Sequence, residues 1–190
     1  MSKVTIQGDA SGTGIFTIAS PNSNTDRTLT LPDEAGTVLT SASATVLPKG
    51  APAFRAYMGS NQTGITGGSF TKAAFNTITL DTNSNFDTTN YRFQPTIAGY
   101  YFLGWTLDMG GVSSNISLTQ VYKNGVGYSR GSGMAIAQTE FYGTGTALVY
   151  LNGASDYVEL YGYMSIPSGT GIFYAGAVAS AFHGHLVRAD

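Results

Sequence analysis

After residue 52 the sequence consists of short runs in which apolar and polar residues alternate, with turn signals between the runs. The runs lie at residues 53–58, 75–80, 91–95, 100–107, 117–122, 146–151, 157–164 and 177–186. Alternation over about four to eight residues predicts half-buried β-strands. Strands this short and this numerous predict an antiparallel sandwich or barrel, since no segment has the pattern of a βαβ unit.

Turn residues refine this prediction at two places. Asn124-Gly125 is a strong hairpin signal, so residues 118–122 are expected to pair with residues 126–129. Residues 108–115 are rich in Gly and Ser, which predicts a loop. Loops of such a domain are expected to determine which partner it binds.

The composition favours the same fold class and excludes several functions. Only 11% of the residues are charged and 25 are glycines, which suits strands and tight turns better than exposed helices. The net charge is −2 and the nine basic residues are scattered, so nucleic acid is not an expected partner. The chain has no cysteine and no apolar run of about 18 to 20 residues, so we expect it to be made and folded in a cytoplasm without membrane insertion.

Catalysis is not expected, because titratable side chains are scarce. His183 and His185 are the two histidines of the chain. The sequence contains no Gly-x-Ser-x-Gly motif, no His-Glu-x-x-His motif and no phosphate-binding Gly-Lys-Ser/Thr loop. Gly-Thr-Gly recurs at residues 12, 143 and 169, where it indicates turns.

Residues 1–44 form a separate N-terminal segment with short β-like pieces between turn residues. About 40 residues of this kind bury too little apolar surface to fold alone, so the segment is expected to pack against copies of itself or another protein. The alternative is a disordered tail. Residues 45–52 contain Pro48 and Pro52, which block helices and strand pairing, and form the predicted linker to a head domain at residues 53–190.

The N-terminal segment resembles a segment found in many phage tail-fibre and virion structural proteins. The motifs that resemble it are Gly12-Thr13-Gly14 and the runs at residues 16–22, 27–32 and 35–40. The resemblance covers about residues 8–41. It implies a trimeric virion component that contacts other phage virion proteins through residues 1–44.

The head domain is similar to the C1q and tumour-necrosis-factor-like superfamily over about residues 52–188. The motifs keep the order of the family and lie at residues 52–56, 75–82, 86–87, 91–95, 98–102, 121–125 and 182–186. The resemblance implies an antiparallel jelly roll that assembles as a homotrimer. His183 stands where the family often has a small polar residue, so the ligand is left open.

Aromatic residues are dense between residues 86 and 105. Alternation places Tyr91 and Phe93 on one face of their strand, and Tyr100 and Phe102 on one face of the next. Each ring that is buried contributes about 2 to 3 kcal/mol. The candidates for the core or a trimer interface are Tyr100, Tyr101, Phe102, Trp105 and Phe182.

Two pairs of side chains are candidate metal ligands. His183 and His185 point the same way on a predicted strand, and three such pairs around a three-fold axis would offer six nitrogens to a transition metal. Their spacing also resembles metal-binding motifs in some trimeric phage fibres. Asp81 and Asp87 flank an oxygen-rich loop that could hold Ca²⁺, an ion that C1q-like heads sometimes bind. The alternative is that all four are ordinary polar or turn residues.

These features together predict a non-enzymatic virion structural protein of tail-fibre or head-fibre type. Its trimeric head would contact a glycan or protein receptor on the host surface. One alternative is a capsid decoration protein or a tail connector. Another is a carbohydrate-binding module that stacks sugar on Tyr101 or Trp105. A hydrolase is the weakest hypothesis.

Overall fold

The computed structural model describes residues 11–15, 17, 19, 22–26, 28, 51–135 and 137–190. The chain divides into two compact units, Met1–Ala44 and Thr45–Asp190. In the first unit the Thr25 N–H donates a hydrogen bond to Ser23 Oγ at 3.1 Å. Most residues of the predicted β pieces in this unit, and most of the linker, lie outside the described residues. The attachment role of residues 1–44 and the domain boundaries therefore stay predictions.

The second unit contains thirteen strands and, among its described residues, no helix. The strands are β1 (Ala53–Tyr57), β2 (Gln62–Ile65), β3 (Phe70–Lys72), β4 (Thr77–Asp81), β5 (Phe86–Asp87), β6 (Arg92–Phe93), β7 (Ala98–Ser114), β8 (Ser117–Lys123), β9 (Val126–Met134), β10 (Gln138–Asn152), β11 (Val158–Met164), β12 (Gly171–Phe173) and β13 (Ala181–Ala189). The described residues include no helix long and apolar enough to cross a membrane.

Two antiparallel sheets pack against each other around one core. The larger sheet has the order β2-β12-β7-β13-β1-β4, and β10 pairs with the other edge of β7. The smaller sheet has the order β5-β6-β11-β8-β9, and β3 also pairs with β11. This arrangement confirms the predicted all-β fold class, an antiparallel jelly-roll sandwich.

The centre of the core is a cluster of phenylalanine rings from both sheets. Phe54 of β1 stacks on Phe93 of β6 with ring centroids 4.2 Å apart. Phe182 of β13 meets Phe54 edge-on at 5.1 Å. Phe93 also meets the buried ring of Tyr101 at 5.6 Å, and the Tyr101 hydroxyl donates to the Ile97 carbonyl at 2.7 Å. These rings therefore join the two sheets.

A glycine-lined pocket holds the ring of Trp105. A Cβ atom at Gly145 would lie 2.2 Å from Trp105 Cζ2, and one at Gly131 would lie 2.9 Å from the same atom. Trp105 Nε1 donates to Thr119 Oγ1 at 2.9 Å inside the core. The prediction that Gly-Thr-Gly at residue 143 marks a turn is therefore wrong. Gly143 and Gly145 lie inside β10, where Gly145 makes room for the indole ring and Gly143 makes room for the Thr119 methyl group.

The prediction of a loop at residues 108–115 is also wrong, because strand β7 continues to Ser114. Gly110 pairs with Glu140 of β10 and with Ile172 of β12. Gly111 has a φ of 82°, which a side chain would strain, and Ile172 leaves no room for a Cβ there. The glycines in this run therefore allow the neighbouring strands β10 and β12 to lie close to β7.

Strand ends differ from the alternation pattern where the backbone turns. Tyr91 has a φ of 54°, so it lies in a turn rather than beside Phe93, and only Arg92–Phe93 remain in the strand. β13 begins at Ala181 rather than residue 177. The predicted hairpin at Asn124-Gly125 is confirmed, since Lys123 pairs with Val126.

Candidate functional site

The outward face of the larger sheet, called here the large-sheet face, exposes a row that consists of three apolar side chains and one histidine. The backbone register aligns Ala53 of β1, His185 of β13, Phe102 of β7 and Leu148 of β10 across four neighbouring strands. Phe102 is 37% exposed and Leu148 is 56% exposed. Apolar side chains in adjacent rows form a continuous patch, which in a soluble protein marks a contact surface.

The same patch continues to both sides of this row. Ile78 and Leu80 of β4 are exposed beside β1. Tyr100 and Tyr150 pair across β7 and β10 with ring centroids 5.4 Å apart, and Tyr150 Oη donates to Asp190 Oδ2 at 2.9 Å. Tyr100 and Phe102, two of the predicted interface candidates, therefore point outward together.

Both histidines lie on the large-sheet face, because β13 alternates them with the inward residues Phe182 and Gly184. A Cβ atom at Gly104 of β7 would lie 2.5 Å from His183 Nε2, so the imidazole covers this glycine. The His185 ring lies 5.8 Å from that of Phe102. As predicted, the two histidines lie on the same face of β13.

A shallow groove of about 400 Å³ runs past the histidines and is lined by Ala53, Phe54, Arg55, Leu80, His183, Gly184 and His185. Arg55 is fixed beside it, since its guanidinium donates to Thr79 Oγ1 at 3.3 Å and to the Ala177 carbonyl. Partial burial, then electrostatic interaction with Arg55 and His185, lower the pKa of His183. The lowered pKa favours the neutral imidazole, which is the form that binds metals.

Metal binding by one chain alone is not indicated. Among the described residues, no group of three or more His, Asp or Glu side chains is placed to hold a metal ion. A site built on His183 and His185 would need ligands from further copies of the chain, as the sequence hypothesis supposed. That hypothesis stays a prediction.

Asp81 and Asp87 both accept hydrogen bonds from turn amides. Asp81 accepts the N–H groups of Asn85 and Phe86 at 3.0 and 2.8 Å. Asp87 accepts the N–H groups of Thr89 and Asn90, and the Asn90 side-chain and backbone bonds are the main reason that the pKa of Asp87 is lowered. These bonds give the carboxylates a structural role as turn caps, and calcium binding stays a prediction.

Three other aromatic candidates lie in the core. Tyr101, Trp105 and Phe182 are 0%, 2% and 0% exposed. Burial raises the pKa of Tyr101 to about 12. In this position Tyr101 and Trp105 cannot stack on a sugar, so a sugar site would need other rings.

One end of the large-sheet face carries a buried acid that the sequence did not single out. Asp108 is 5% exposed, and its Oδ1 has no hydrogen-bond partner among the described residues. Burial and then the charge of Glu140 raise the pKa of Asp108 to about 6. Glu140 Oε1 accepts the Tyr142 hydroxyl at 2.7 Å. Nothing in the local sequence distinguishes this Asp from a turn residue, because its burial depends on the distant residues around Tyr174 and Ser180.

The outward face of the smaller sheet, called here the small-sheet face, contains an aromatic cluster that sequence analysis missed. Phe70 of β3 lies 5.3 Å from Tyr163 of β11 and 5.8 Å from Tyr122 of β8. Tyr122 stacks on Tyr161 at 4.0 Å. The alternation within β11 places Tyr161 and Tyr163 on one face, and this signal would have identified half of the cluster.

Several solved structures resemble the chain. The globular domain of zebrafish complement 1qA protein is 14% identical, with a TM-score of 0.50, and the match covers 74% of this chain and 99% of that one. Murine APRIL at pH 5.0 is 8% identical, with a TM-score of 0.55, and the match covers 72% of this chain and 99% of that one. No protein-family model and no curated protein matches. These likenesses show the fold, which is a jelly roll of the C1q and tumour-necrosis-factor-like type.

Proposed function

We propose that the chain is a bacteriophage virion structural protein, of tail-fibre or head-fibre type, that forms a homotrimer and presents its jelly-roll heads to the host surface. The single observation that supports self-association most directly is the row formed by Phe102, Leu148 and His185 on the large-sheet face. The N-terminal motifs that resemble phage fibre segments support the virion assignment.

Burial of the large-sheet face between three copies would cover the apolar side chains of Phe102 and Leu148, which the single chain exposes. Each fully buried Phe or Leu contributes about 1.5 to 3 kcal/mol, so the two exposed side chains Phe102 and Leu148 from three copies together stabilise a trimer by several kcal/mol. Tyr100 and Tyr150 extend the same surface towards Asp190. The smaller sheet then remains available for a receptor.

Binding without chemistry is the mechanism of this proposal. Three heads in one trimer bind a repeated surface ligand at high effective concentration, so three weak contacts together give tight attachment. The non-enzymatic assignment is supported by the scarcity of titratable side chains in the sequence. The protein would be assembled in the host cytoplasm and function on the virion.

Analytical ultracentrifugation of the full chain tests the trimer. The wild-type chain is expected to sediment as a trimer, whereas Phe102→Glu and Leu148→Glu are expected to sediment as monomers, because each places a charge in the shared interface. Val126→Glu is the matched control, since Val126 is 71% exposed on β9 of the smaller sheet. A monomeric wild-type chain, or variants that all remain trimeric, would contradict the proposed interface.

The location on the particle separates host attachment from the second candidate, a capsid decoration or tail connector protein. Gold-labelled antibody against the head is expected at the distal tips of fibres. Label spread evenly over the shell would favour a decoration protein, and label at the head-to-tail junction would favour a connector. Absence of the protein from purified particles would refute the virion assignment itself.

A further inference from the structure

We propose that the small-sheet face binds an acidic sugar residue in the groove beside Arg130. This inference rests on the proposed function, because it names the receptor class that the heads would recognise. The sequence hypothesis placed sugar stacking on Tyr101 and Trp105, which are buried. The rings proposed here are accessible on the small-sheet face.

The walls of the groove suit the apolar face of a sugar ring. Phe70 and Tyr163 lie at its edge with their planes 50° apart, and Ile116 and Leu118 complete the apolar lining. A pyranose ring has one face of C–H groups that packs on aromatic rings. Tyrosine hydroxyls on the neighbouring rings supply hydrogen-bonding groups for sugar hydroxyls.

The size of the groove favours a small ligand. Its volume is about 310 Å³, and small-molecule sites range from about 300 to 1,000 Å³. A stable protein partner needs about 800 Å² of buried surface on each side. The groove therefore accommodates one or two sugar rings rather than a protein segment.

The charge of the groove selects an acid. The other cations on this sheet and its connecting turns are each paired with a carboxylate: Lys72 with Glu159 at 2.8 Å, Arg92 with Asp87 at 3.9 Å, and Lys123 with Asp156 at 2.8 Å. Arg130 lines the groove and is exposed, and its guanidinium forms no ion pair or hydrogen bond with any residue that the structure describes.

An unpaired guanidinium beside an apolar wall matches a sugar that carries a carboxylate. The planar fork of Arg130 can donate two parallel hydrogen bonds to both carboxylate oxygens. A neutral sugar would use the aromatic wall but leave this donor unused. Uronic acids and sialic acids have both features, an apolar ring face and a carboxylate.

Glycan arrays probed with the full chain test the inference. The array contains oligosaccharides with uronic or sialic acids, and the same oligosaccharides with the carboxylate reduced to an alcohol. The acidic forms are expected to bind at least about tenfold more strongly, because loss of a charge-assisted bidentate contact costs that much. Equal binding of acidic and reduced forms would overturn the role of Arg130.

Variants identify the site by calorimetry with the best acidic oligosaccharide from the array. Arg130→Gln and Tyr163→Leu are each expected to weaken binding at least about tenfold. Arg188→Gln is the matched control, because Arg188 is an exposed cation on β13 of the larger sheet, and its affinity is expected to be unchanged. Loss of affinity in the control alone would move the site to the other sheet and overturn the inference.

Ultracentrifugation of the same samples separates the two proposals. A wild-type trimer that binds no acidic glycan refutes this inference and leaves the assembly intact. A wild-type monomer that still binds acidic glycans through Arg130 supports this inference and refutes the trimeric head. Variants that remain trimeric show that lost binding does not arise from misfolding.

Discussion

Asp108 makes the stability of the head depend on pH in a direction opposite to that of most surface carboxylates. Its side chain is buried near Glu140, and these two causes raise its pKa from 3.8 to about 6. A raised pKa means that the folded chain holds the proton more tightly than the unfolded chain does. The stabilising contribution is therefore complete below about pH 4 and is lost as the pH rises through about 6.

The magnitude follows from the size of the shift. One pKa unit corresponds to about 1.4 kcal/mol, so a shift of about two units costs the folded state at most about 3 kcal/mol at neutral pH. Replacement of Asp108 by Asn removes the charge, and the amide can donate to the nearby Glu140 carboxylate. We therefore expect Asp108→Asn to stabilise the head at about pH 8 and to have little effect at about pH 4.

Urea unfolding at a fixed protomer concentration measures this difference. The free energy of unfolding of wild type and Asp108→Asn is compared at several values between about pH 4 and about pH 8. Glu140→Gln is the companion variant, because it removes only the second cause of the shift and should give a smaller gain. A gain that is the same at every pH, or a loss at about pH 8, would refute the assignment of a buried ionised carboxylate.

The remaining predictions concern the core and the metal hypotheses. Gly145→Ala should lower the free energy of unfolding, measured in urea, by about 1 to 3 kcal/mol, because the new Cβ overlaps the Trp105 ring. The control Thr146→Ala, on the outward side of β10, should change it by less than about 0.5 kcal/mol, and equal losses would contradict the packing argument. If three His183 and His185 pairs hold a transition metal, elemental analysis should find about one ion per trimer and a chelator should lower the melting temperature. A metal-free trimer with unchanged stability rejects that site. Calorimetric titration with Ca²⁺ should show saturable heat that Asp87→Asn abolishes, and a flat titration rejects the calcium site.

Strands could be predicted from the sequence where apolar and polar residues alternate. They could be predicted less well where pairing with distant strands determines whether a segment is extended. Residues 117–122 alternate and end at Asn124-Gly125, so both the strand and its hairpin partner follow from neighbouring residues. The run at residues 108–115 contains few apolar side chains, and only its pairing with β10 and β12 makes it a strand. Tyr91 fits the alternation but lies at a positive φ, which no periodicity encodes.

The candidate surfaces were predictable only in part, for the same reason. Alternation separates Tyr100 and Phe102 from Tyr101 and Leu103. It does not indicate which set faces inward, because both sets are apolar. In β11 the choice between Leu160 and the tyrosines is settled by the packing of the sheets. The unpaired state of Arg130 depends on which acids the other cations contact, and the chain order does not contain that information.

The position of β1 between β13 and β4 gives the head a firm mechanical anchor. Any tension that reaches the head from residue 51 enters this strand, which is hydrogen-bonded along both of its edges, from Ala53 to Tyr57 with β13 and from Phe54 to Tyr57 with β4. A pull along the strand must slide both sets of hydrogen bonds at once instead of opening them one by one. Resistance to such a load is a property of the unfolding rate rather than of equilibrium stability. A tethered head loaded through its first strand should accordingly withstand drag forces that would peel away an edge strand.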